Sequence, residues 1–437
     1  MHELNSKQVE RAILIGISLN GGNHWQVEDH LEELALLADT AGAQVVDKII
    51  QARARIDSAY FIGKGKAECL AVVADAADAG LIIFDDDLNP AQVRNLERLT
   101  GKKILDRSGL ILDIFARRAK TREARTQVEL AQLKYLLPRL TRQWTHLSRQ
   151  IGGIGFRGPG ETQLEVDRRV IRRKIGALTK DLEKIKSQRK VRRQRRKENF
   201  KVGLVGYTNV GKSTLMNALT ESEVFVENRL FATLDATVRH LDTENHQPIL
   251  LVDTVGFIRK LPHHLVASFM STLEEAKEVD MLLHVADVSH PQFLQQIAVV
   301  KDVLHQLQIS HKPTLMVFNK VDRLKEKGLI PRLSKDFQPS IFVSATKGLF
   351  LNDLKDTILR MSRERFVAVE LVLDVQFSWI TSKLYELSDV LDTRYDDRQV
   401  RVSLKASEQK LESLKSFLQE QTHGAFKLSL ISNGSKN

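Results

Sequence analysis

The chain of 437 residues is longer than one hydrophobic core usually organises, and its length predicts roughly three domains. Apolar residues make up 42% and charged residues 28%, values that exclude a disordered chain, and no apolar run approaches the roughly 20 residues that cross a bilayer. The N-terminus lacks the pattern of a secretory signal, and the single cysteine, Cys69, cannot form an internal disulfide, so we expect a cytoplasmic protein.

The net charge of +11 comes from one segment. Lysine and arginine total 66 against 55 acidic residues, and between Arg168 and Lys197 there are 15 basic residues against two acidic ones. A positive field of this density favours association with a phosphate backbone or an anionic lipid head group. The sequence therefore predicts a polyanionic partner for this segment.

Residues 1–110 alternate short apolar segments with amphipathic ones, as in AILIGISL, HLEELALLADTAG and LIIFDDDL. This pattern predicts a small α/β domain, with Gly42, Gly80 and Gly101 as C-caps of its helices. Cys69, in the helical segment AECLAVVADAADAG, is interpreted as a small buried side chain.

The sequence of residues 111–198 predicts a long helical hairpin. Apolar side chains recur near period 3.6 in TREARTQVELAQLKYLLPRL, and Pro138 is expected to kink or end that helix. The glycine-rich segment IGGIGFRGPG follows, and a charged helix is predicted from Glu161 through Lys197. The glycines indicate a tip loop that is mobile or approaches a partner closely.

The sequence of residues 199–364 predicts a central domain with a mostly parallel sheet and helices on both of its faces. The expected strands are FKVGLVG, PILLVDT, MLLHVAD, PTLMVFN and SIFVSAT, which are short, continuously apolar and separated by helical stretches. Residues 365–437 predict a small C-terminal α/β domain, so the expected fold class is α/β throughout.

The segment GLVGYTNVGKST predicts a phosphate-binding loop. Gly206, Gly211, Lys212 and Ser213 have the required spacing, directly after an apolar strand and before a helix. Glycines let backbone N–H groups face phosphates, and the helix N-terminus adds a favourable field. We expect Lys212 to hold the β- and γ-phosphates and the Ser213 hydroxyl to ligate Mg²⁺.

The segment PILLVDTVGF, about 40 residues downstream, is expected to contain a strand that ends at Asp253. Asp253 at the end of this strand can reach Mg²⁺ directly or through water, and Gly256 can donate its N–H to the γ-phosphate. A strand-terminal aspartate alone is more often a turn former, but its order and distance after the phosphate loop favour the metal role.

Asn319, Lys320 and Asp322 follow the strand TLMVF. The Asp322 carboxylate can accept both N1–H and N2–H₂ of guanine, whereas adenine presents an acceptor there, so the motif predicts guanine specificity. Lys320 is expected to pack over the base, and Asn319 to tie this turn to the phosphate loop. Ser344 and Ala345, at the end of IFVSAT, permit a backbone contact with guanine O6.

Taken together, these motifs resemble the series found in translation-factor-class P-loop GTPases. Within that resemblance, FATLDATVR is similar to the first switch, where a threonine closes over Mg²⁺ in the presence of the γ-phosphate. Thr233 matches that position best, and Thr237 is the competing residue.

The resemblance implies a GTP-hydrolysing enzyme with GTP or GDP and Mg²⁺ as ligands. The expected catalytic residues are Lys212, Thr233 and Gly256, and the expected metal ligands are Ser213, Thr233 and Asp253. The residues expected to bind the nucleotide are Gly206, Tyr207, Thr208, Asn209, Val210, Gly211, Lys212, Ser213, Thr214, Phe231, Ala232, Thr233, Asp253, Thr254, Val255, Gly256, Asn319, Lys320, Asp322, Ser344, Ala345 and Thr346.

Phe257 departs from the simple pattern. In Ras-like relatives a glutamine at this place orients the attacking water, and a phenyl ring can neither orient nor deprotonate water. Either a partner places the nucleophile, or Phe257 packs under the switch while another side chain acts. Both interpretations predict slow hydrolysis by the free protein, raised by a large partner.

The chain resembles HflX-type GTPases over nearly its whole length, through FIGKGK, FDDDLNPAQVRNLE, DRSGLILDIFARRAKTREARTQVELAQLKYLLPRL, GGIGFRGPGETQLEVDRR and DTVGF. The resemblance implies a monomeric, ribosome-associated stress-response protein that binds the large ribosomal subunit and its rRNA rather than DNA, and that splits or rescues stalled ribosomes. The arginines expected to contact RNA are Arg157, Arg168, Arg169, Arg172 and Arg173.

Three alternatives stay open. The first is a membrane-associated regulatory GTPase, although the basic helix lacks the broad apolar face of interfacial helices. The second is a scaffold that holds GTP structurally, which Phe257 keeps possible. The third is an RNA-remodelling protein that also binds ATP through its N-terminal domain, although FIGKGKAE lacks the Ser or Thr of a true phosphate loop.

Overall fold

The computed structural model describes residues 9–19, 24–140, 163–194, 199–220, 230–231, 237–241, 249–260, 276–324, 328–364, 366–387, 389–396, 398–422 and 425–430. Its contacts divide the chain into two units, residues 1–349 and residues 350–437. The described part of the first unit holds a four-stranded and a six-stranded sheet, and that of the second a further four-stranded sheet. The α/β class is confirmed. None of the helices in the described ranges is long and apolar enough to cross a bilayer.

The first sheet is parallel, with strand order β2-β1-β3-β4. Its strands are β1 (Glu10–Leu19), β2 (Ala43–Arg53), β3 (Leu81–Phe84) and β4 (Lys103–Asp106). The helices between them are α1 (His24–Thr40), α2 (Lys64–Ala76) and α3 (Pro90–Thr100). Every residue of β3 is buried, because the sheet is covered on both faces. The acidic residues after Phe84 therefore lie at the carboxyl edge of the sheet.

Two of the three predicted helix caps are confirmed. Gly101 and Gly42 both follow a helix with positive φ, 66° and 84°. The prediction for Gly80 is wrong, because the left-handed residue after α2 is Asp78 (φ 50°), and the Ala79 amide donates to the Ala74 carbonyl at 2.8 Å. A short polar side chain tolerates this conformation, so the turn closes without glycine.

The prediction that Cys69 is buried is also wrong. Its side chain is exposed, because Ala67, Leu70 and Ala74 form the inward face of α2 at helical spacing and Cys69 lies off that face.

Asp106 joins the sheet to the two helices that follow, α4 (Arg107–Arg118) and α5 (Arg122–Leu136). It is fully buried and caps α4 by accepting from the Gly109 amide at 2.8 Å. It also accepts from the Tyr135 hydroxyl at 2.7 Å and from Arg139 at 2.9 Å. One carboxylate thus fixes β4, α4 and the end of α5.

The predicted helical hairpin is present in its two arms. Helix α5 ends at Leu136, and Pro138 lies in the short 3₁₀ turn Leu137–Arg139, which confirms the predicted stop. The second arm is α6 (Gln163–Gln194), whose Ile171 is buried and whose Lys174 pairs with Glu129 of α5 at 2.5 Å. The predicted tip loop lies outside the described residues.

The second sheet has strand order β10-β9-β8-β5-β7-β6, and all pairs are parallel except β6 with β7. Its strands are β5 (Phe200–Gly206), β6 (Thr237–Leu241), β7 (Ile249–Asp253), β8 (Met281–Asp287), β9 (Thr314–Asn319) and β10 (Ser340–Phe342). Its helices are α7 (Lys212–Thr220), α8 (Phe293–Gln306) and α9 (Leu329–Asp336). The five predicted strands are confirmed, and β6 was not predicted.

The second unit holds a β-α-β-β-α-β arrangement with antiparallel order β12-β13-β11-β14. Its strands are β11 (Phe366–Asp374), β12 (Asp389–Tyr395), β13 (Gln399–Ser407) and β14 (Phe426–Leu430). Its helices are α10 (Leu351–Glu364), α11 (Ile380–Leu387) and α12 (Glu408–Thr422). Strand β12 was not predicted, because its sequence DVLDTRY is polar.

We expect Asp106→Ala to lower the free energy of unfolding by about 3–5 kcal/mol, because it leaves Arg139 and two amide donors without their buried acceptor. Asp75→Ala is the control, since its carboxylate is exposed and pairs only at the surface with Lys102, and it should change stability by less than about 0.5 kcal/mol. Urea unfolding followed by circular dichroism measures both. A loss below about 1 kcal/mol for Asp106→Ala would refute the joining role.

Candidate nucleotide-binding site

The phosphate loop connects the carboxyl end of β5 to the N-terminus of α7, which begins at Lys212. Gly211 has a φ of 93°, and a Cβ there would lie 2.5 Å from Nδ2 of Asn319. A side chain at this position is therefore excluded both by conformation and by space. Asn209 is also left-handed, with a φ of 62°. The loop thus folds tightly around the helix start, as a phosphate cradle requires.

Lys212 is buried behind this loop. Its Nζ donates to the carbonyls of Tyr207 and Gly206, at 2.9 and 3.2 Å. Burial lowers the pKa of Lys212 to about 8, and the charge of Asp253 acts in the opposite direction. The ammonium group is thus held at a fixed place where negative phosphates would be favourable partners.

Ser213 and Asp253 form a pair of oxygen ligands that fits magnesium. The Ser213 Oγ lies 2.6 Å from Oδ2 of Asp253, which ends β7. Mg²⁺ usually takes one or two protein oxygens and completes its shell with phosphates and water. Thr254 is turned away, since its hydroxyl donates to the Leu204 carbonyl at 2.6 Å.

The predicted second switch, residues 253–257 (DTVGF), lies directly against the phosphate loop. The Thr208 amide donates to the Phe257 carbonyl at 2.7 Å, and the Phe257 amide donates to the Gly206 carbonyl at 3.0 Å. A Cβ on Gly256 would lie 2.7 Å from Cα of Thr208 and 2.9 Å from Nζ of Lys212, so only glycine fits there. The Phe257 ring is buried, with 1% of its surface exposed, and so faces away from solvent.

Asn319 links the base-reading turn to two other loops. Its Nδ2 donates to the Val210 carbonyl at 2.8 Å, and its Oδ1 accepts from the Ala345 amide at 3.1 Å. Lys320 is left-handed (φ 63°), and its Nζ donates to the Asn209 carbonyl at 3.0 Å. Ser344 is buried, whereas Asp322 and Thr346 are exposed. The carboxylate that should read guanine is therefore accessible from solvent.

The first switch is described only in part. Phe231 is buried, donates its amide to the Thr208 hydroxyl at 3.1 Å, and packs edge-on against Phe115 with ring centroids 4.7 Å apart. Thr237 lies in β6 in register with Asp253 of β7. Ala232 and Thr233 lie outside the described residues, so the assignment of the switch threonine stays a prediction.

Three further residues that were predicted to bind the nucleotide lie in or beside these loops. Val210 and Val255 are buried, and Thr214 lies in the first turn of α7.

Of the predicted RNA contacts, Arg169, Arg172 and Arg173 are exposed on one stretch of α6, and Arg168 is half-buried. Arg157 lies outside the described residues.

Two groups of residues around the site were not predicted. Asp287 pairs with Lys320, the lysine predicted to pack over the base, at 2.7 Å. Arg259 and Lys260, just after the second switch, pair with acidic residues of the first sheet and of α1. The signal for the second group was the run FDDDL, since acidic residues at the carboxyl end of a parallel strand lie at the edge where ligands and partners meet.

We expect Asp322→Asn to weaken GDP binding by at least about 100-fold, since an amide cannot accept both guanine donors. Xanthosine diphosphate should become the preferred ligand, because xanthine carries an oxygen where guanine carries its amine. Titration calorimetry with both nucleotides measures the change. Asp302→Asn, an exposed residue of α8, is the matched control and should leave both affinities unchanged. Unaltered GDP affinity in Asp322→Asn would remove Asp322 from base recognition.

Three family descriptions match consecutive parts of the chain. Residues 28–116 match "GTP-binding GTPase N-terminal", residues 118–196 match "GTP-binding GTPase Middle Region", and residues 201–320 match "50S ribosome-binding GTPase". Among solved structures, a GTP-binding protein from the hyperthermophilic archaeon Sulfolobus solfataricus in complex with GDP is 27% identical, with a TM-score of 0.44, over 82% of this chain and 99% of that one.

Curated relatives cover most of the chain. GTPase HflX of Caldanaerobacter subterraneus subsp. tengcongensis is 44% identical over 96% of this chain and 96% of its own. GTPase HflX of Flavobacterium psychrophilum is 45% identical over 88% of this chain and 92% of its own, and that of Escherichia coli is 42% identical over 87% and 89%. These matches confirm the resemblance inferred from the sequence, and the chain belongs to the HflX family of GTP-hydrolysing enzymes.

Proposed function

We propose that this GTPase uses its nucleotide state to control binding to the large ribosomal subunit, and that it acts in splitting or rescuing stalled ribosomes in the cytoplasm. The observation that carries the proposal is the position of a densely basic helix, α6, in the same unit as the nucleotide site. The "50S ribosome-binding" description of the matching family supports the choice of partner. We further propose that the protein acts as a monomer.

The nucleotide site offers groups that would bind GTP and magnesium for hydrolysis. Lys212 and the loop amides around Gly211 would hold the β- and γ-phosphates, and the Asn319 to Asp322 turn would hold guanine. Magnesium, held by Ser213 and Asp253 and by the Thr233 hydroxyl, would neutralise charge on the phosphates. The Gly256 amide is the group that would detect the γ-phosphate.

Water positioning is the step for which the chain is least equipped. The Phe257 ring is buried beneath the switch and carries no polar atom. The free protein should therefore hydrolyse GTP slowly, and the ribosome would either supply the missing group or move one into place. The partner would then control the rate of turnover.

The basic helix supplies the surface for RNA. Arg169, Arg172 and Arg173 project from α6 at spacings of three and four residues, so they lie on adjacent turns of one face. Folded RNA is recognised largely through its backbone and shape, for which exposed guanidinium groups are well suited. DNA is not the proposed partner, because the family match names the ribosome.

We expect purified large subunits to raise multiple-turnover GTP hydrolysis by at least about tenfold over the free protein, because Phe257 stands where a glutamine would orient the attacking water and the subunits can supply the missing group. Phosphate release is measured with and without subunits, and small subunits alone serve as the control. A fast basal rate that large subunits leave unchanged would refute the proposal.

We expect Arg172→Glu with Arg173→Glu to weaken binding to large subunits by at least about tenfold and to flatten its salt dependence, because two phosphate contacts are lost. Sedimentation through sucrose gradients with GDP or a non-hydrolysable GTP analogue measures the binding. Arg332→Glu with Lys335→Glu reverses the same charge on the exposed face of α9 and is the matched control. Equal binding of both double variants would exclude the α6 face from the contact.

A further inference from the structure

A cavity of about 510 Å³ lies outside the predicted nucleotide contacts, between α1, β2 and the two residues that precede α8. Its apolar lining consists of Trp25, Leu31, Ile50 and Pro291. Its charged lining consists of three carboxylates on α1 and one ammonium group on β2, which belong to Glu28, Asp29, Glu32 and Lys48. The volume and the mixed lining are typical of a site for a small organic molecule.

A second cavity, of about 310 Å³, continues the first one toward the phosphate loop. The two cavities share Asp29, Glu32 and Gln292 in their linings. The second cavity is also lined by residues of the phosphate loop, Thr208 among them. The two cavities are therefore adjacent, and we call them together the α1 groove. This groove follows α1 from Trp25 to the phosphate loop.

The side chains of α1 that line the groove recur at helical spacing. Glu28 and Asp29 lie three and four residues after Trp25, and Glu32 lies one further turn along the helix. Side chains three or four residues apart on a helix are neighbours on one face, with Cβ atoms about 5–6 Å apart. The groove wall therefore presents one indole ring followed by carboxylates at nearly regular intervals.

Several of these groups are accessible to a ligand. Trp25 is 51% exposed, whereas tryptophan side chains are highly buried on average. Asp29 makes no hydrogen bond or ion pair with any of the described residues. Glu28 pairs only at the surface, with His24 at 3.3 Å, and this partner is neutral unless it is protonated. Two carboxylates of the groove thus have no permanently charged partner in the described part of the chain.

The charge of the lining determines the class of ligand. Carboxylates outnumber lysine and arginine by three to one in the first cavity and by four to one in the second, although the whole chain carries a net charge of +11. An anionic ligand is therefore disfavoured. Among the described residues no group of three His, Cys, Asp or Glu side chains is placed to hold a metal ion, so a single inorganic cation does not fit. An exposed indole ring beside carboxylates favours an organic ammonium group, which the face of the ring attracts.

We propose that the α1 groove binds a linear aliphatic polyamine. Its methylene chain lies on Trp25, Ile50 and Pro291, and its ammonium groups pair with Glu28 and Asp29. Ammonium groups joined by three or four methylene groups are separated by about the same 5–6 Å as the carboxylates on successive turns of α1, so several pairs can form at once. This inference goes beyond GTP hydrolysis and ribosome binding and rests on neither.

Titration calorimetry of spermidine, a triamine, into the nucleotide-free full chain tests the proposal, and we expect one site per chain. Trp25→Leu keeps an apolar side chain but removes the aromatic face, and it should weaken binding about two- to fivefold. Glu28→Gln with Asp29→Asn should weaken binding at least about fivefold, because two ion pairs are lost. All these side chains lie at least partly at the surface, so circular dichroism should show unchanged folding.

Asp353→Asn with Asp356→Asn is the matched control, because it removes two exposed carboxylates from α10 and should leave spermidine binding unchanged. Equal weakening in both double variants would reveal general charge attraction and overturn the proposal, as would an unaltered affinity in Trp25→Leu. A pentalysine peptide is titrated in parallel. Tighter binding of the peptide than of spermidine, lost in the same groove variants, would assign the groove to a basic protein segment instead.

Discussion

The two hydrogen bonds of the Asn319 side chain hold the nucleotide site together. One reaches the phosphate loop at Val210 and the other reaches the loop after β10 at Ala345, so a single amide fixes three loops that are far apart in sequence. Because all three loops leave the carboxyl edge of parallel strands, the sheet brings them near and Asn319 sets their final distances. Gly211 belongs to the same constraint, since any side chain there would displace this amide.

A second constraint is electrostatic and links the two sheets of the first unit. Asp85 directly follows a buried strand of one sheet, and Arg259 follows the second switch of the other, so the end of a strand that carries no nucleotide motif still contacts the loops of the nucleotide site. Buried pairs of this kind are weak evidence for stability but restrict geometry strongly when all partners are present. The ion pairs of Asp85 thus fix the alignment of the two sheets more than they contribute to folding energy.

The local part of this structure could be predicted from sequence, and the long-range part could not. The phosphate loop, the Asp253 turn and the Asn319 turn are contiguous motifs, and the strands before them are continuously apolar. The motifs and the strands could therefore both be predicted from the sequence. The contact between Glu33 and Tyr207 joins residues 174 positions apart, and no sequence pattern around either residue indicates it. Strands β6 and β12 were missed because they lie at sheet edges and are polar, and Cys69 was misplaced because an alanine-rich helix hides which face is inward.

The length of α6 has a mechanical consequence. Its 32 residues span about 48 Å at 1.5 Å per residue, and its last described residue lies a few positions before β5, which leads into the phosphate loop. A tilt of about 10° at that end would carry the far end through about 8 Å. Small rearrangements at the nucleotide would thus be amplified by a rigid lever, with its arginines carried along.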